Sequence, residues 1–388
     1  MSQAEGAGGP SLLCVVGFPS NTGFAWDFLE GLYARMADIL AARGVRTFVA
    51  YPEVVSAPAS LAGSAADPVE LDASLRDDAS LAATTAFVAN HAVRAMFLID
   101  QPSYNPRYAA IRDAGVRRVV VYDHTSGART IPHGPKRIAK RLLRRIPAHL
   151  PDAILTVSDY VGRRQIEVAL TPSELVRTVH NGLPVPDRDP AARAKLRSLL
   201  DLEPDRAVIG AAARAAPEKG IDVLLRAYDE ACVAWGSPPP ALVFFGDGPD
   251  LERLRGIAAD LPCRSHVHLP GYHAGADALL EGADICVVPS VWQDALPLSV
   301  LGSMARGNLV IATRVGGVPE MIEDGVSGLL VPPGDVAALA EAMRTAMSDP
   351  GLRARLGSAA RERVGHRFRP EDQIRRLVES VDPAFAVS

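Results

Sequence analysis

Two cationic side chains, Arg214 and Lys219, stand five positions apart in the segment ARAAPEKGID. They flank a turn between a predicted strand, Ala207 to Ala213, and a helix that is predicted to begin near Asp222. Cations at the end of a strand beside a helix N-terminus attract phosphate, because their charge and the helix's free N–H groups both favour an anion. The spacing therefore predicts a diphosphate site, although two solvated surface charges would give the same pattern.

A second stretch, from Asp284 to Asp335, has the pattern of a strand, a loop, a helix and another strand. In an open parallel sheet, ligands lie outside the carboxyl ends of the strands. Here those ends lead into two loops, Ser290 to Pro297 and Thr313 to Val318. The second loop carries Gly316 and Gly317, which allow backbone amides to approach a ligand closely. This stretch is therefore predicted to hold most of a binding site.

The same stretch resembles the donor site of the retaining glycosyltransferases of family four, which have the GT-B fold. The resemblance rests on PS followed by a short loop with an acidic residue, a helix ending in MARG, and then GGVPE and DGVSGLLVPPGD. It continues in ARAAPEKG, where Ala213 replaces the usual glycine, and in the GDGP that follows Ala241 to Phe245. It implies an α/β protein of two Rossmann-like domains with parallel sheets facing across a cleft.

The resemblance also implies a function. A sugar would move from a nucleotide-diphosphate sugar donor to a small hydroxylated acceptor, with retention of configuration, with no cofactor and without a metal. In the family, two glutamates stand eight positions apart, the first near the transferred sugar and the second on the nucleotide ribose. Asp294 and Gly302 occupy these positions here. Asp294 is the candidate catalytic residue, and Gly302 is unexpected because glycine inside a helix costs about 1 kcal/mol relative to alanine.

Gly302 has two explanations. Either a neighbouring group packs closely against the backbone, or the ribose contact was lost. Tyr272 is predicted to contact or cover the base, and Arg214 and Lys219 to hold the diphosphate. The candidate donor-binding residues are Gly23, Arg214, Lys219, Gly246, Tyr272, Ala295, Leu296, Pro297, Leu298 and Gly302.

The first half of the chain alternates predicted strands with helices, which indicates another parallel, doubly wound sheet. Its first loop, with Asn21, Thr22 and Gly23, lacks the dinucleotide fingerprint G-x-G-x-x-G. By the resemblance this loop touches donor or acceptor, and a polar turn without a ligand is the alternative. A later loop follows a strand in YDHTSGARTIPHG, where His124 matches a family histidine near the transferred sugar. We therefore expect His124 to be a second catalytic residue, although a lone histidine is usually structural.

Lys136 to Arg145 (KRIAKRLLRR) predicts a basic amphipathic helix. Such a helix binds a membrane surface or an anionic acceptor, or it is simply a solvated face. The solvated face is favoured because few apolar residues accompany the charges.

Composition narrows the classes of partner and cellular location that the protein could have. The 388 residues carry a formal net charge of −4, which gives no reason to expect nucleic acid as a partner. No signal segment or membrane span is predicted, so a cytoplasmic location is expected. The four cysteines form no C-x-x-C pair and are expected to be reduced. A homodimer is compatible with these properties.

The predicted domains are 1–184, an acceptor domain, and 205–368, a donor domain, joined by the linker 185–204. A terminal helix in 369–388 is expected to cross back to the first domain. Two other functions stay open: a degenerate GT-B protein that binds a nucleotide or serves as a subunit, and another GT-B enzyme such as a sugar-nucleotide epimerase or a phosphorylase.

Overall fold

The computed structural model describes residues 9–21 and 24–386, and for 24–26 it describes the backbone only. The chain forms two compact units. The first contains the described residues up to Thr125, then Arg129–His180 and the residues from Glu371 onward. The second contains Ser126–Ala128 and Asn181–Pro370. Each unit is built on one parallel sheet, so the predicted α/β class with two Rossmann-like domains is confirmed.

The first unit has a seven-stranded sheet with strand order β3-β2-β1-β4-β5-β6-β7. Its strands are apolar and buried in the middle of the sheet, where Leu13, Met96 and Val121 are fully enclosed. The strands are β1 (Ser11–Val15), β2 (Arg46–Tyr51), β3 (Ala66–Glu70), β4 (Val93–Ile99), β5 (Arg118–Asp123), β6 (Ala153–Thr156) and β7 (Val176–Thr178). The helices are α1 (Phe24–Ala41), α2 (Asp78–Asn90), α3 (Arg107–Asp113), α4 (Gly134–Leu143) and α5 (Asp159–Glu167).

The second unit has a six-stranded sheet with strand order β10-β9-β8-β11-β12-β13. Helices cover it around a core that includes Leu224, Ile285 and Met343. The strands are β8 (Val208–Ala212), β9 (Ala241–Phe245), β10 (Val267–Gly271), β11 (Ile285–Val288), β12 (Leu309–Thr313) and β13 (Leu329–Val331). The helices are α6 (Ala192–Leu199), α7 (Ile221–Cys232), α8 (Leu251–Asp260), α9 (Ala276–Leu280), α10 (Leu298–Ala305), α11 (Val318–Met321), α12 (Val336–Ser348) and α13 (Pro350–Arg367).

The last helix, α14 (Pro370–Val381), packs against the first unit's sheet. Its buried Gln373 donates a hydrogen bond from Nε2 to the hydroxyl of Tyr122, 3.0 Å away. The Tyr122 hydroxyl in turn donates to the carbonyl of Val179 at 2.9 Å. A polar chain therefore runs from α14 through β5 to the end of β7.

The basic helix α4 contributes no buried residue to the first unit. Two polar side chains attach it: Lys140 donates from Nζ to the carbonyl of Val168, and Arg144, the residue after the helix, donates from Nε to that of Ala169. Ile138 and Leu142 point to solvent, with 62% and 56% of their surface exposed. Among the described residues, no helix has the length and apolar character needed to cross a membrane.

The stretch 185–204, predicted as a linker, contains α6, and this helix is anchored in the second unit by Arg197. The Arg197 side chain is buried and pairs with Asp284 at 2.9 Å. It also donates to the carbonyl oxygens of Arg206 and Gly282. Asp284 accepts the backbone N–H of Val208 as well, so this ion pair ties α6 to the starts of β8 and β11.

We expect Arg197→Met to lower the free energy of unfolding of the second unit by about 3 kcal/mol, because Asp284 would stay mostly buried without its main partner. Urea unfolding measures this. Arg193→Met is the matched control, since Arg193 pairs with the same carboxylate at 3.1 Å from a largely exposed position. Its cost should stay below about 1 kcal/mol. Equal losses in the two variants would contradict the anchoring role.

Candidate active site

The carboxyl edge of the second sheet has a switch point between β8 and β11. The next strands after β8, β9 and β10, lie on one side of this point, and the next strands after β11, β12 and β13, lie on the other. The loops after β8 and β11 therefore diverge and leave a crevice. Arg214 and Lys219 lie in the loop after β8, and Asp294 lies in the loop after β11. The candidate diphosphate residues and the candidate catalytic carboxylate therefore come from the two loops that border this crevice.

An ion pair joins the two loops. The Nζ of Lys219 lies 2.8 Å from Oδ1 of Asp294, which is only 5% exposed. The second carboxylate oxygen, Oδ2, accepts a hydrogen bond from the hydroxyl of Ser290 at 2.7 Å. Since a carboxylate has about four lone-pair sites and an ammonium has three donors, both groups keep capacity for a ligand. The pair therefore fixes the two side chains without using up their hydrogen-bonding capacity.

Close backbone contacts hold the same loops. Gly220 has a left-handed φ of +64°, and a Cβ there would lie 2.2 Å from the carbonyl oxygen of Pro289. Gly316, with φ of +51°, is still more restricted, because a Cβ would lie 1.8 Å from the carbonyl oxygen of Asp294. That carbonyl also accepts the N–H of Gly317 at 2.9 Å. Glycine is therefore required where the loops after β8 and β12 meet the Asp294 loop.

Further contacts shape the Asp294 loop from a part of the chain that sequence reasoning did not connect with it. Residues 126–128 belong to the second unit. The N–H of Gly127 donates to the carbonyl of Gln293 at 2.7 Å, and the N–H of Ala295 donates to the hydroxyl of Ser126 at 3.3 Å. The Gln293 side chain accepts the N–H of Gly316 at 2.7 Å. Hydrogen bonds from backbone N–H groups to backbone and side-chain oxygens thus hold the residues on either side of Asp294.

Arg214 is the more exposed of the two cations. Its side chain is 63% exposed and pairs with the carboxylate of Glu218 in the same loop. An exposed pair of this kind contributes little to stability, so a ligand anion can replace the glutamate at small cost. Lys219 is thus held in place by the protein, whereas Arg214 is available to an incoming ligand.

The four residues after Asp294 build the start of α10. Ala295 and Leu296 are buried, and the carbonyl of Leu296 accepts a hydrogen bond from Asn181 Nδ2 at 3.4 Å. Pro297 is the N-cap residue, and Leu298 is the first residue of the helix. These residues point the helix N-terminus toward the same edge of the sheet as Asp294.

Gly246 and Tyr272 lie in the loops after β9 and β10. A Cβ at Gly246 would lie 2.0 Å from the carbonyl oxygen of Ala213, and the Gly246 N–H donates to the carbonyl of Gly271 at 2.9 Å. The amide of Gly246 is therefore engaged within the protein, and the residue holds three loops together. Tyr272 is 72% exposed, which leaves its ring open to a flat ligand.

Comparison with known proteins fits this arrangement. A family model described as glycosyl transferases group 1 matches residues 172–363. A GDP-mannose-dependent alpha-(1-6)-phosphatidylinositol monomannoside mannosyltransferase of Mycolicibacterium smegmatis is 34% identical over 269 residues, or 64% of this chain and 66% of that protein. The enzyme of the same name from Mycobacterium tuberculosis H37Rv is 32% identical over 274 residues, or 66% and 68%.

The chain belongs to the group 1 glycosyl transferases. The matches span about two thirds of each mannosyltransferase. A glycosyltransferase from Rickettsia africae superimposes on 98% of this chain and 100% of its own with a TM-score of 0.80 at 18% identity, which shows the shared fold alone. The protein is therefore a GT-B glycosyltransferase.

The first unit of this glycosyltransferase holds the other catalytic candidate, His124, directly after β5. Its N–H donates to Asp100 Oδ1 at 2.6 Å, and its ring packs against Tyr122 with centroids 4.1 Å apart. The preceding Asp123 is buried and pairs with Arg164 at 3.3 Å. Sequence reasoning missed Arg164, because its position inside α5 gives no local sign of a partner on β5.

The first loop of the glycosyltransferase follows β1. Asn21 is tied to the segment 56–59, where its Nδ2 donates to Ser56 Oγ at 2.6 Å and its Oδ1 accepts the N–H of Ala59 at 3.2 Å. Thr22 and Gly23 lie outside the described residues. A donor contact at Gly23 stays a prediction.

We expect Gly220→Ala to destabilise the second unit by about 1 to 3 kcal/mol more than Gly325→Ala, because only the first substitution forces a carbonyl aside. Gly325 is a matched control, since its φ is +74° and a Cβ there would meet no atom within 4 Å. The left-handed backbone alone costs each alanine about 1 to 2 kcal/mol. Urea unfolding of both variants measures the difference, and equal midpoints would show that the loops are not in close contact at Gly220.

Proposed function

We propose that this glycosyltransferase moves a sugar from a nucleotide-diphosphate sugar to a hydroxylated acceptor with retention of the anomeric configuration. The observation that carries the proposal is the pair formed by Lys219 and Asp294 at 2.8 Å, beside Arg214 at the switch point of the sheet. Its elements are a cation for the leaving group and a fixed carboxylate for the sugar. Charge stabilisation of both kinds lowers the barrier to glycosyl transfer.

Arg214 and Lys219 act on the leaving group. When the bond between the sugar C1 and the β-phosphate oxygen breaks, negative charge grows on the departing diphosphate. Fixed cations that meet this charge lower the barrier, because they need no reorganisation as the reaction proceeds. We propose that these two side chains neutralise the diphosphate without a metal ion.

Asp294 acts on the sugar. Each of its carboxylate oxygens already accepts one hydrogen bond, from Lys219 or from Ser290, and each has a further lone pair for a sugar hydroxyl. Holding the hydroxyls fixes the position of C1, and the negative charge stabilises the oxocarbenium character that develops there. Because Asp294 is anchored on both oxygens, it is suited to orientation.

The proton of the acceptor hydroxyl needs a destination. We propose that the acceptor oxygen forms its bond to C1 on the face from which the diphosphate leaves, and that its proton passes to the departing β-phosphate oxygen. Retention follows, since bond breaking and bond making share one face. His124 would then orient the sugar instead of acting as the base.

The names of the relatives suggest which substrates to try first. The mannosyltransferases are named for GDP-mannose as donor and for a phosphatidylinositol monomannoside as acceptor. A donor panel should therefore include GDP-mannose together with UDP-glucose and other nucleotide sugars. An acceptor panel should pair small hydroxylated compounds with an inositol glycolipid. The cytoplasmic location and the homodimer stay predictions from the sequence.

We expect Lys219→Met to weaken binding of the preferred nucleoside diphosphate by about 1.5 to 3 kcal/mol, the range for a hydrogen bond to a charged group. Calorimetry measures the affinity. Lys195→Met is the control, because Lys195 is an exposed cation of the same unit that pairs with Asp189 at 2.6 Å. If Lys219→Met binds as tightly as the control, the diphosphate assignment is wrong.

Turnover is expected to depend on Asp294. Asp294→Asn should lose most sugar transfer while its affinity for the nucleoside diphosphate changes less than in Lys219→Met, because Asp294 contacts the sugar and affects the leaving group only through Lys219. Product formation with each donor is followed by mass spectrometry. A wild-type protein that binds nucleotide but transfers and hydrolyses no sugar would instead favour a non-catalytic role, and interconversion of the donor sugar would favour an epimerase.

A further inference from the structure

A carboxylate from a different helix lies beside Gly302. A Cβ added at Gly302 would have Oδ2 and Cγ of Asp277 as its nearest contacts outside α10's own backbone, at 3.7 and 3.8 Å. These are ordinary van der Waals distances, so an alanine fits and close packing does not require the glycine. The free space at Gly302 is instead bordered by an acidic group.

The Asp277 side chain is partly buried. Among the side chains that the structure describes, none donates a hydrogen bond to its carboxylate or forms an ion pair with it. Desolvation raises the pKa of Asp277 above its ordinary value, and the positive charge of Arg306 offsets this only in part. A partly desolvated carboxylate without a donor costs free energy, which a ligand hydroxyl can recover.

The position of Asp277 in the fold points to the same ligand as the candidate active site. Asp277 is the second residue of α9, which begins just after the loop of Tyr272 at the carboxyl end of β10. Gly302 lies in α10, which begins just after the loop of Asp294. In a nucleoside diphosphate, the ribose joins the base to the phosphates. If the base of a nucleotide lies near Tyr272 and its phosphates lie near Lys219, its ribose lies between Tyr272 and Lys219.

We propose that Asp277 binds the ribose hydroxyls of the donor nucleotide, and that this carboxylate on α9 replaces the one that the family resemblance implies at position 302. The inference rests on the proposed function. The two oxygens of a carboxylate can accept hydrogen bonds from both hydroxyls of a ribose. With an acidic side chain already supplied from α9, a glutamate at position 302 would bring a second negative charge into the same space, and glycine avoids this repulsion.

The first test needs no variant. Wild-type protein is titrated with GDP, UDP and their 2′-deoxy forms in a calorimeter, and the ratio of ribo to deoxyribo affinity is recorded for the base that binds. We expect the ribonucleotide to bind about tenfold more tightly, as for the loss of one hydrogen bond to a charged group. Equal affinities would overturn the proposal.

Asp277→Ala should lower ribonucleotide affinity at least tenfold and the affinity for the 2′-deoxy form less, because that form keeps only the 3′-hydroxyl, so that the ratio falls toward one. Asp260→Asn, an exposed carboxylate of the same unit, is the control and should keep the wild-type ratio. Thermal unfolding establishes that each variant is folded. A wild-type ratio in folded Asp277→Ala would overturn the proposal.

The decisive variants move the carboxylate between the helices. Gly302→Glu alone should bind ribonucleotide more weakly than wild type, because two carboxylates then compete for one space. The exchange variant Asp277→Ala with Gly302→Glu should recover the ribo preference, which makes the two substitutions strongly non-additive. Additive losses would overturn the proposal.

These outcomes separate the inference from the proposed function. Binding of nucleoside diphosphates that depends on Lys219 but shows no dependence on Asp277 would refute only the ribose assignment. Wild-type protein that binds no nucleoside diphosphate at all would refute both.

Discussion

The ion pair between Lys219 and Asp294 is the interaction on which the candidate site depends. Loops that leave a parallel sheet on two sides of its switch point diverge by construction, so a site that uses both must draw them together. A buried ion pair is a weak source of net stability, because desolvation offsets much of its attraction. Its value here is positional: Ser290 on one carboxylate oxygen and the ammonium group on the other leave the carboxylate a single orientation. The glycine contacts at Gly220 and Gly316 add a steric limit to this electrostatic one.

The sheet strands could be predicted where burial made them continuous apolar runs. The strand predicted at Ala207 to Ala213 is present as Val208–Ala212. Ala66–Glu70, at a sheet edge, has no such signal, since it contains a proline and two acidic residues. An edge strand needs hydrogen bonds on one side alone and tolerates proline and charge, so its sequence resembles that of a loop.

Some residues of the candidate site could likewise be predicted from the sequence, and others could not. Residues whose type and place at a strand end carry the signal, such as Arg214 and Lys219, could be selected from the sequence. Asp277 could not, because an acidic residue in the first turn of a short helix is common and its importance comes from a glycine on another helix. Ser126 and Gly127 were missed for the same reason, since their contacts with the loop of Asp294 span more than 160 positions. Contacts between residues so far apart in the chain depend on tertiary structure, and they leave no local pattern in a single sequence.

The interleaving of the two units affects the order in which the chain can fold. Domains usually fold during synthesis from the N-terminus onward. Here the sheet of the first unit is covered by α14, which is synthesised only after all of 181–370. Gln373 reaches Tyr122 across 251 positions, and Arg118 donates to the carbonyl of Ser380. Part of the first unit's sheet therefore stays uncovered until α14 has been synthesised, whereas the second unit can complete its core earlier. The half that is made first is thus the half that is finished last.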